Sequence, residues 1–364
     1  MGIEWTADEW RTLTIQLVSL TGFVSLNIGL NFFNSWALKN DGPGPHFDFP
    51  VFYTMTHMVA TVIGACVIMS FRRPATGWPS PSQFVGYSWG LLLIAACSTV
   101  NLLCNNISLT LISLFLNQVI KATGPLPTMV FSFIMEHKTY TAYSILACIL
   151  IVLGTVLSIP LTSKGPQTSV VGVVVVIIST VAASLKPVAL SLVFKGLKDK
   201  PKLEPTVVLF YDAFISFWMM LLYWLVSSER AATVEYIGNR PLVALGIIAG
   251  GASMAFGFNL SAYFFTKFTS SLTASIASNG TKVVNIIISA LIASALHDPR
   301  NICGVLLVCV SLMAYAHAGH LAKANPPKPL NISFLGKDTE AGKVSEETPL
   351  TPAPQSSTQC CVIS

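Results

Sequence analysis

Residues 117–128 read NQVIKATGPLPT and residues 277–288 read ASNGTKVVNIII. Each places one lysine, Lys121 or Lys282, inside an otherwise apolar segment. A cation at that depth in a membrane is expensive, and it usually faces the interior and meets something anionic. Fourteen residues after each lysine comes a polar boundary, MEHKTYT from Met135 and LHDPRN from Leu296, and each boundary is followed by another apolar stretch. Two similar halves, each with a buried lysine, suggest a transporter with a charge-lined cavity between repeats.

Composition points the same way. Hydrophobic residues make up 53% of the 364 residues and charged residues 10%, with a mean hydropathy of +0.67. A soluble domain carries roughly 25% charged residues, so an integral membrane protein is expected. The net charge of +5 is spread over short loops. It reports orientation rather than a nucleic-acid partner. Cys66, Cys97, Cys104, Cys148, Cys303 and Cys309 lie in or beside apolar segments and read as small packing residues. Their spacing suggests neither a metal site nor a disulfide framework. Enzyme motifs of the GxSxG, HExxH or dinucleotide-glycine kind do not occur, so no catalytic residue, enzyme activity or cofactor is expected.

A span needs about 20 apolar residues. Ten candidates follow: 13–33, 50–70, 84–104, 111–135, 142–161, 170–194, 207–226, 242–265, 272–296 and 302–320. Pro125 and Pro127 interrupt the fourth. With a cytosolic N-terminus, one side receives Arg11, Arg72, Arg73, Lys138, Lys195 and Lys267 among others. The opposite side receives Lys39, Lys164, Arg230, Arg240 and Arg300. The positive-inside bias therefore places both termini in the cytosol. Residues 321–364 are rich in Pro, Ser, Thr and Glu without periodicity, and read as a disordered cytosolic tail.

On the ninth candidate span, Ser275, Ser278, Asn279, Lys282, Asn285 and Ser289 recur at steps of three or four and share a helix face, opposite Val284, Ile287, Ile288 and Leu291. A cation flanked by amides and hydroxyls suits phosphate oxygens, which accept several hydrogen bonds at once. Around Lys121, Asn117 and Gln118 precede the charge by about one turn and Gly124-Pro125 follows it. Proline removes backbone donors, and the freed carbonyls are tolerated only against protein or a wet cavity.

Lys186, before Pro187, is a third buried cation, unless it lies near enough to the cytosolic end to snorkel. Asp212, in Phe210-Tyr211-Asp212-Ala213, has three open roles: bonding a sugar or base, coupling a proton, or pairing with a lysine. Asn27, Asn31 and Asn34, and Asn101 with Asn105, form further polar stripes that serve equally as glue between helices. The GxxxG pairs Gly86/Gly90 and Gly246/Gly250 read as close helix contacts. The candidate substrate-binding residues are Lys121, Lys282, Lys186, Asn279, Tyr211, Asp212, Asn259, Ser278 and Asn117.

These segments resemble the triose-phosphate and nucleotide-sugar translocator family of the drug/metabolite transporter superfamily. The likeness runs from about Thr12 to His320. It rests chiefly on NNISLTLISLFLNQVIKATGPLPT with Lys121, on SSLTASIASNGTKVVNIII with Lys282, and on 304–315 as the last helix. The resemblance implies an all-α membrane fold of ten transmembrane helices as two five-helix inverted repeats, 1–161 and 162–320. It also implies antiport of phosphorylated metabolites by alternating access. Triose-phosphate members carry Lys-Arg on the ninth helix. Here Val283 follows Lys282, as in the Lys-Val branch linked to nucleotide sugars. Lys186 stands where some members carry an arginine on the sixth helix. Of the GDP-mannose transporter motifs, only Phe210-Tyr211 and Lys282 match, which speaks against guanine recognition.

The expected partners are a nucleotide sugar, with a UDP-sugar favoured, a nucleoside monophosphate and membrane lipid, and a homodimer is allowed. The alternatives are exchange of a sugar phosphate or phosphoenolpyruvate against inorganic phosphate, and a non-transporting scaffold or receptor of the same fold. The expected compartment is the Golgi membrane, ahead of the endoplasmic reticulum or a plastid, because MGIEWTADEW lacks the acid-poor character of a transit peptide and no cleavable signal is evident. At the other end, Cys361-Val-Ile-Ser fits a farnesylation box with Cys360 beside it for palmitoylation, and Gly2 with Thr6 fits a myristoylation pattern less well. Asn106, Asn259, Asn279 and Asn331 begin N-x-S/T matches in or beside spans or in the tail, where no glycan is expected.

Overall fold

The computed structural model describes residues 7–38, 44–112, 117, 120–158, 169–196, 202–292 and 299–324. Among these residues there is no strand. The helices are α1 (Ala7–Leu38), α2 (Pro50–Phe71), α3 (Pro81–Leu111), α4 (Pro125–Glu136), α5 (Ala142–Ser158), α6 (Val170–Lys195), α7 (Pro205–Val226), α8 (Glu229–Asn239), α9 (Pro241–Phe268), α10 (Ser271–Ile292) and α11 (Pro299–Ala324).

Proline opens six of them, at Pro50, Pro81, Pro125, Pro205, Pro241 and Pro299. At the first helical position the missing N–H is no loss and the fixed φ is already helical. Ser80 adds a side-chain cap to α3, its Oγ accepting from Gln83 N at 3.3 Å. Gly196, at φ +81°, terminates α6 in a conformation that favours glycine.

Among the described residues, six helical segments are long and apolar enough to cross a membrane: Trp10–Leu38, Pro50–Phe71, Pro81–Asn105, Val170–Lys195, Pro205–Val226 and Pro241–Phe268. Ala142–Leu157 and Ile302–Ala318 are shorter apolar helices. Apolar side chains such as Ile63, Leu222 and Leu245 are exposed on the outer surface, where lipid replaces water as their solvent.

Two features differ from the sequence reading. The candidate span 111–135 is not one helix: α3 continues to Leu111, Ile112 ends it, and α4 begins only at Pro125. Between them the described residues include a helical turn at 120–122 and a turn at 123–124. The segment after α7, which falls between the candidate spans 207–226 and 242–265, contains α8. Its Glu229 carboxylate accepts from Phe52 N at 2.9 Å and Val51 N at 3.4 Å, and so satisfies the open N-terminus of α2. Tyr236 of α8 donates to Pro45 O at 2.6 Å and packs edge-on against Phe47 and Phe49.

The main helix pairs are α3 with α6, α5 with α11, α1 with α9, and α2 with α7. A core of Met69, Leu91, Ile94, Leu190, Val207, Leu209 and Tyr263 ties α2, α3, α6, α7 and α9 together. Close approach needs small residues. A Cβ at Gly90 would sit 2.6 Å from Val193, and one at Gly250 would sit 2.9 Å from the Phe33 ring, so both GxxxG pairs contribute a packing glycine. Cys97 and Cys148 are buried as expected, whereas Cys303 and Cys309 are exposed. Cys360, Cys361, Gly2, Thr6 and Asn331 lie outside the described residues.

Candidate functional site

The site starts from a defect in backbone hydrogen bonding. In a continuous helix the Lys121 carbonyl would accept from the N–H four residues on, but that residue is Pro125 and has none. Pro127 does the same to Thr123. The chain compensates locally: Gly124 N reaches Lys121 O at 3.3 Å, and Leu126 N turns to Thr123 O at 3.0 Å. Leu126 thereby leaves the Ala122 carbonyl.

Helix α10 supplies the replacement donors. Lys282 Nζ donates to Lys121 O at 3.0 Å, and Asn279 Nδ2 donates to Ala122 O at 2.7 Å. Asn279 Oδ1 in turn accepts from Lys282 Nζ at 2.8 Å, one helical turn away. The two lysine-bearing segments are thus in direct contact, through the carbonyls that the prolines freed.

Lys121 has its own acceptor. Its Nζ donates to Asn105 Oδ1 at 2.6 Å. Asn117 is fully buried and donates to Ser108 Oγ at 2.7 Å and to Asn105 Oδ1 at 3.4 Å, while its own Oδ1 has no partner among the described residues. Among the described residues no carboxylate forms an ion pair with Lys121 or Lys282. Both ammonium groups are held by neutral oxygens, which orient a cation without neutralising it.

Lys186 is in a different situation. Its Nζ forms an ion pair with Asp212 Oδ2 at 3.0 Å and lies 5.4 Å from the centroid of the Tyr263 ring. Asp212 is buried, and Tyr263 OH donates to Oδ2 at 2.5 Å while Ser98 Oγ and Ser216 Oγ meet Oδ1 at 2.9 and 3.2 Å. Of the roles open to Asp212, pairing with a lysine is the one this arrangement occupies, and Lys186 does not simply snorkel. The pair closes its own charge inside a hydrogen-bonded shell.

The remaining candidates divide. Ser278 is half-buried beside Asn279. Asn259 is half-buried on α9, one turn before Tyr263. Tyr211 is not brought to the lysines: its OH donates to Ser80 O at 2.9 Å and accepts from Ser80 N at 2.8 Å, pinning the entry to α3. The side chains of Asn285 and Ser289 lie outside the described residues. Residues that sequence reasoning passed over are Tyr263, Ser98 and Ser216. Nothing in their local sequence separates them from other polar residues of apolar helices. Asn105 was visible as part of a polar stripe, but its role on Lys121 was not.

Comparison with known proteins bears on this geometry. The Triose-phosphate Transporter family matches residues 14–316. A probable sugar phosphate/phosphate translocator of Arabidopsis thaliana is 28% identical over 291 residues, covering 79% of this chain and 76% of that protein. UDP-uronic acid transporter 1 of the same plant is 27% identical over 308 residues, 84% of this chain and 95% of that protein. A crystal structure with 14% identity superimposes with a TM-score of 0.59 over 87% of this chain and 99% of the other, and shows a common fold.

Proposed function

The chain belongs to the Triose-phosphate Transporter family, and from that premise we propose that this multi-pass membrane protein exchanges a cytosolic nucleotide sugar, with a UDP-sugar favoured, for a luminal nucleoside monophosphate by alternating access. The observation that carries the reading is the contact of Lys282 with the Lys121 backbone. It joins two cations with no carboxylate partner among the described residues. An arriving phosphate brings the missing counter-charge and several acceptor oxygens. Both members of the exchanged pair carry phosphate, so the same lysines serve each. An unoccupied, closed site would leave two ammonium groups dry and uncompensated, which disfavours return of the empty carrier and enforces exchange.

The proposed architecture is ten membrane helices as inverted repeats 1–161 and 162–320. The termini face the cytosol, 321–364 forms a tail, and the Golgi is the favoured compartment. Lys121, Lys282, Asn279, Asn117 and Ser278 form the phosphate end of the site. Lys186 and Asp212, with Asn259 nearby on α9, are proposed for the sugar or base end. Relatives named as UDP-uronic acid transporter 1 and GDP-mannose transporter GONST5 support a nucleotide-sugar substrate. A second reading, exchange of a smaller sugar phosphate against inorganic phosphate, draws on the relatives named as sugar phosphate/phosphate translocators.

Counterflow separates the two. Liposomes preloaded with UMP, GMP, CMP, AMP or inorganic phosphate are offered labelled nucleotide sugars and sugar phosphates. Uptake of a nucleotide sugar only against its matching monophosphate supports the first reading. Uptake of a sugar phosphate against inorganic phosphate replaces it with the second.

A further inference from the structure

Helix α10 meets the α4 segment in an antiparallel ladder of polar contacts. Lys282 and Asn279 bond the carbonyls of Lys121 and Ala122. One turn along, Ser275 Oγ meets Thr128 Oγ1 at 3.1 Å. One turn further, Ser271 donates to Glu136, and its Oγ lies 3.3 Å from Ser132 Oγ. Ser271, Ser275 and Asn279 are spaced four apart and so occupy one stripe of the helix.

The ladder ends on a saturated carboxylate. Glu136, with a fully buried side chain, accepts from Ser132 Oγ and Ser191 Oγ at 2.5 Å each, and from Lys138 and Lys195 Nζ at 3.0 Å each. Its donors come from α4, α6 and α10 and from the chain just beyond α4. The Lys138 and Lys195 side chains are 31% and 48% exposed, so this knot sits just inside the surface at a lysine-rich end.

Other seams are built differently. A Cβ at Gly154 would sit 2.8 Å from Val308, so α5 and α11 approach closely at a glycine; α3–α6 sets Gly90 against Val193, where a Cβ would sit 2.6 Å away, alongside the bonds of Ser179 to Asn101. Separating an interlocked apolar seam leaves voids. Separating a seam of hydroxyls, carbonyls and one carboxylate lets water replace each bond with little net loss.

We propose that the α4–α10 seam is the gate at the lysine-rich end of the site, and that Glu136 is the latch that holds it shut. The proposal rests on the exchange reading above. Opening releases Ser271 and Ser275 of α10 from Glu136 and Thr128, and exposes the Lys121–Lys282 contact at the inner end of the ladder.

The latch is tested without any solute. Thr128 is fully buried in the seam, so a Thr128→Cys protein is treated with a membrane-impermeant maleimide, and modification at position 128 is read by mass spectrometry. Adding Glu136→Gln should raise that rate at least fivefold in protein that remains monodisperse and helical. If Glu136→Gln does not fold, Ser271→Ala, which removes one bond to the carboxylate, is read in the same way. An unchanged rate in the folded variant overturns the latch. Separately, a disulfide in Ser132→Cys/Ser271→Cys should reduce exchange at least tenfold, with recovery on reduction. Full exchange in completely cross-linked protein overturns the gate. Wild-type protein that exchanges no phosphate compound would instead strike the transport reading, because the labelling result does not depend on a solute.

Discussion

Lys282 Nζ donates to the main-chain carbonyl of Lys121 at 3.0 Å, a contact made available by Pro125, which cannot donate to that carbonyl. Two residues far apart in sequence are coupled where a regular helical bond is missing. The lysine of one segment joins Gly124 N as a donor to that carbonyl of the other.

Restoring the backbone donor should therefore disturb the site. Pro125→Ala supplies an N–H that competes with Lys282 for the Lys121 carbonyl, and gives up the helical φ that proline fixes at the first position of α4. The expected result is thermal stability within about 1 kcal/mol of wild type, with exchange reduced about tenfold, the worth of one hydrogen bond to a charged group. Stability and exchange falling together would show that the proline acts only in packing.

Lys186 and Asp212, at the proposed sugar or base end, should be energetically coupled to each other. Asp212→Leu leaves Lys186, Tyr263, Ser98 and Ser216 without their shared acceptor and should destabilise the protein by about 3 kcal/mol or more. Lys186→Met together with Asp212→Leu should regain much of that loss, because an apolar pair replaces a neutralised one. Thermal melting of single and double variants decides this. Purely additive losses would show that the two residues do not act through each other.

Tyr53 requires a glycine opposite it. A Cβ at Gly251 would stand 1.8 Å from the Tyr53 hydroxyl, which donates to Asn34 Oδ1 at 3.0 Å. Gly251→Ala should cost about 1–3 kcal/mol through overpacking, and Tyr53→Phe should relieve part of it. Wild-type melting behaviour of Gly251→Ala would contradict the packing described.

Glu229 offers a pH signature outside the membrane helices. Burial pushes its carboxyl above the ordinary value, the N–H groups of Phe52 and Val51 pull it back, and Asp48 raises it further. The net shift is upward. A carboxyl raised in the folded state contributes stability that is present below its unfolded pKa and lost as pH rises through the folded one. Glu229→Gln is neutral throughout, so its melting temperature relative to wild type should become more favourable from pH 4 to pH 7. A pH-independent difference would assign Glu229 no net cost of ionisation.

Much of this was legible in the chain. Lys121, Lys282 and the polar stripe through Ser275 and Asn279 stood out because charge and periodicity are visible in apolar surroundings. The stripe proved one turn longer, reaching Ser271, where the apolar context had already ended. The break before Pro125 was marked by the prolines, but its extent was not, since α3 runs to Leu111 on sequence that reads equally well as a new span. Tertiary pairing was the illegible part. Asp212 could have met a solute or any lysine. Only packing places Lys186, Tyr263, Ser98 and Ser216 around it, and only packing turns Tyr211 toward Ser80.

The most direct measurement is reconstituted exchange by wild type, Lys121→Ala and Lys282→Ala, matched for expression, using a nucleotide sugar against its monophosphate and a sugar phosphate against inorganic phosphate. Loss of a buried charge contact to phosphate should lower exchange roughly a hundredfold or more in either variant, with wild type active on a phosphate-bearing pair. Exchange persisting near the wild-type rate in either alanine variant would remove that lysine from the site and contradict the account.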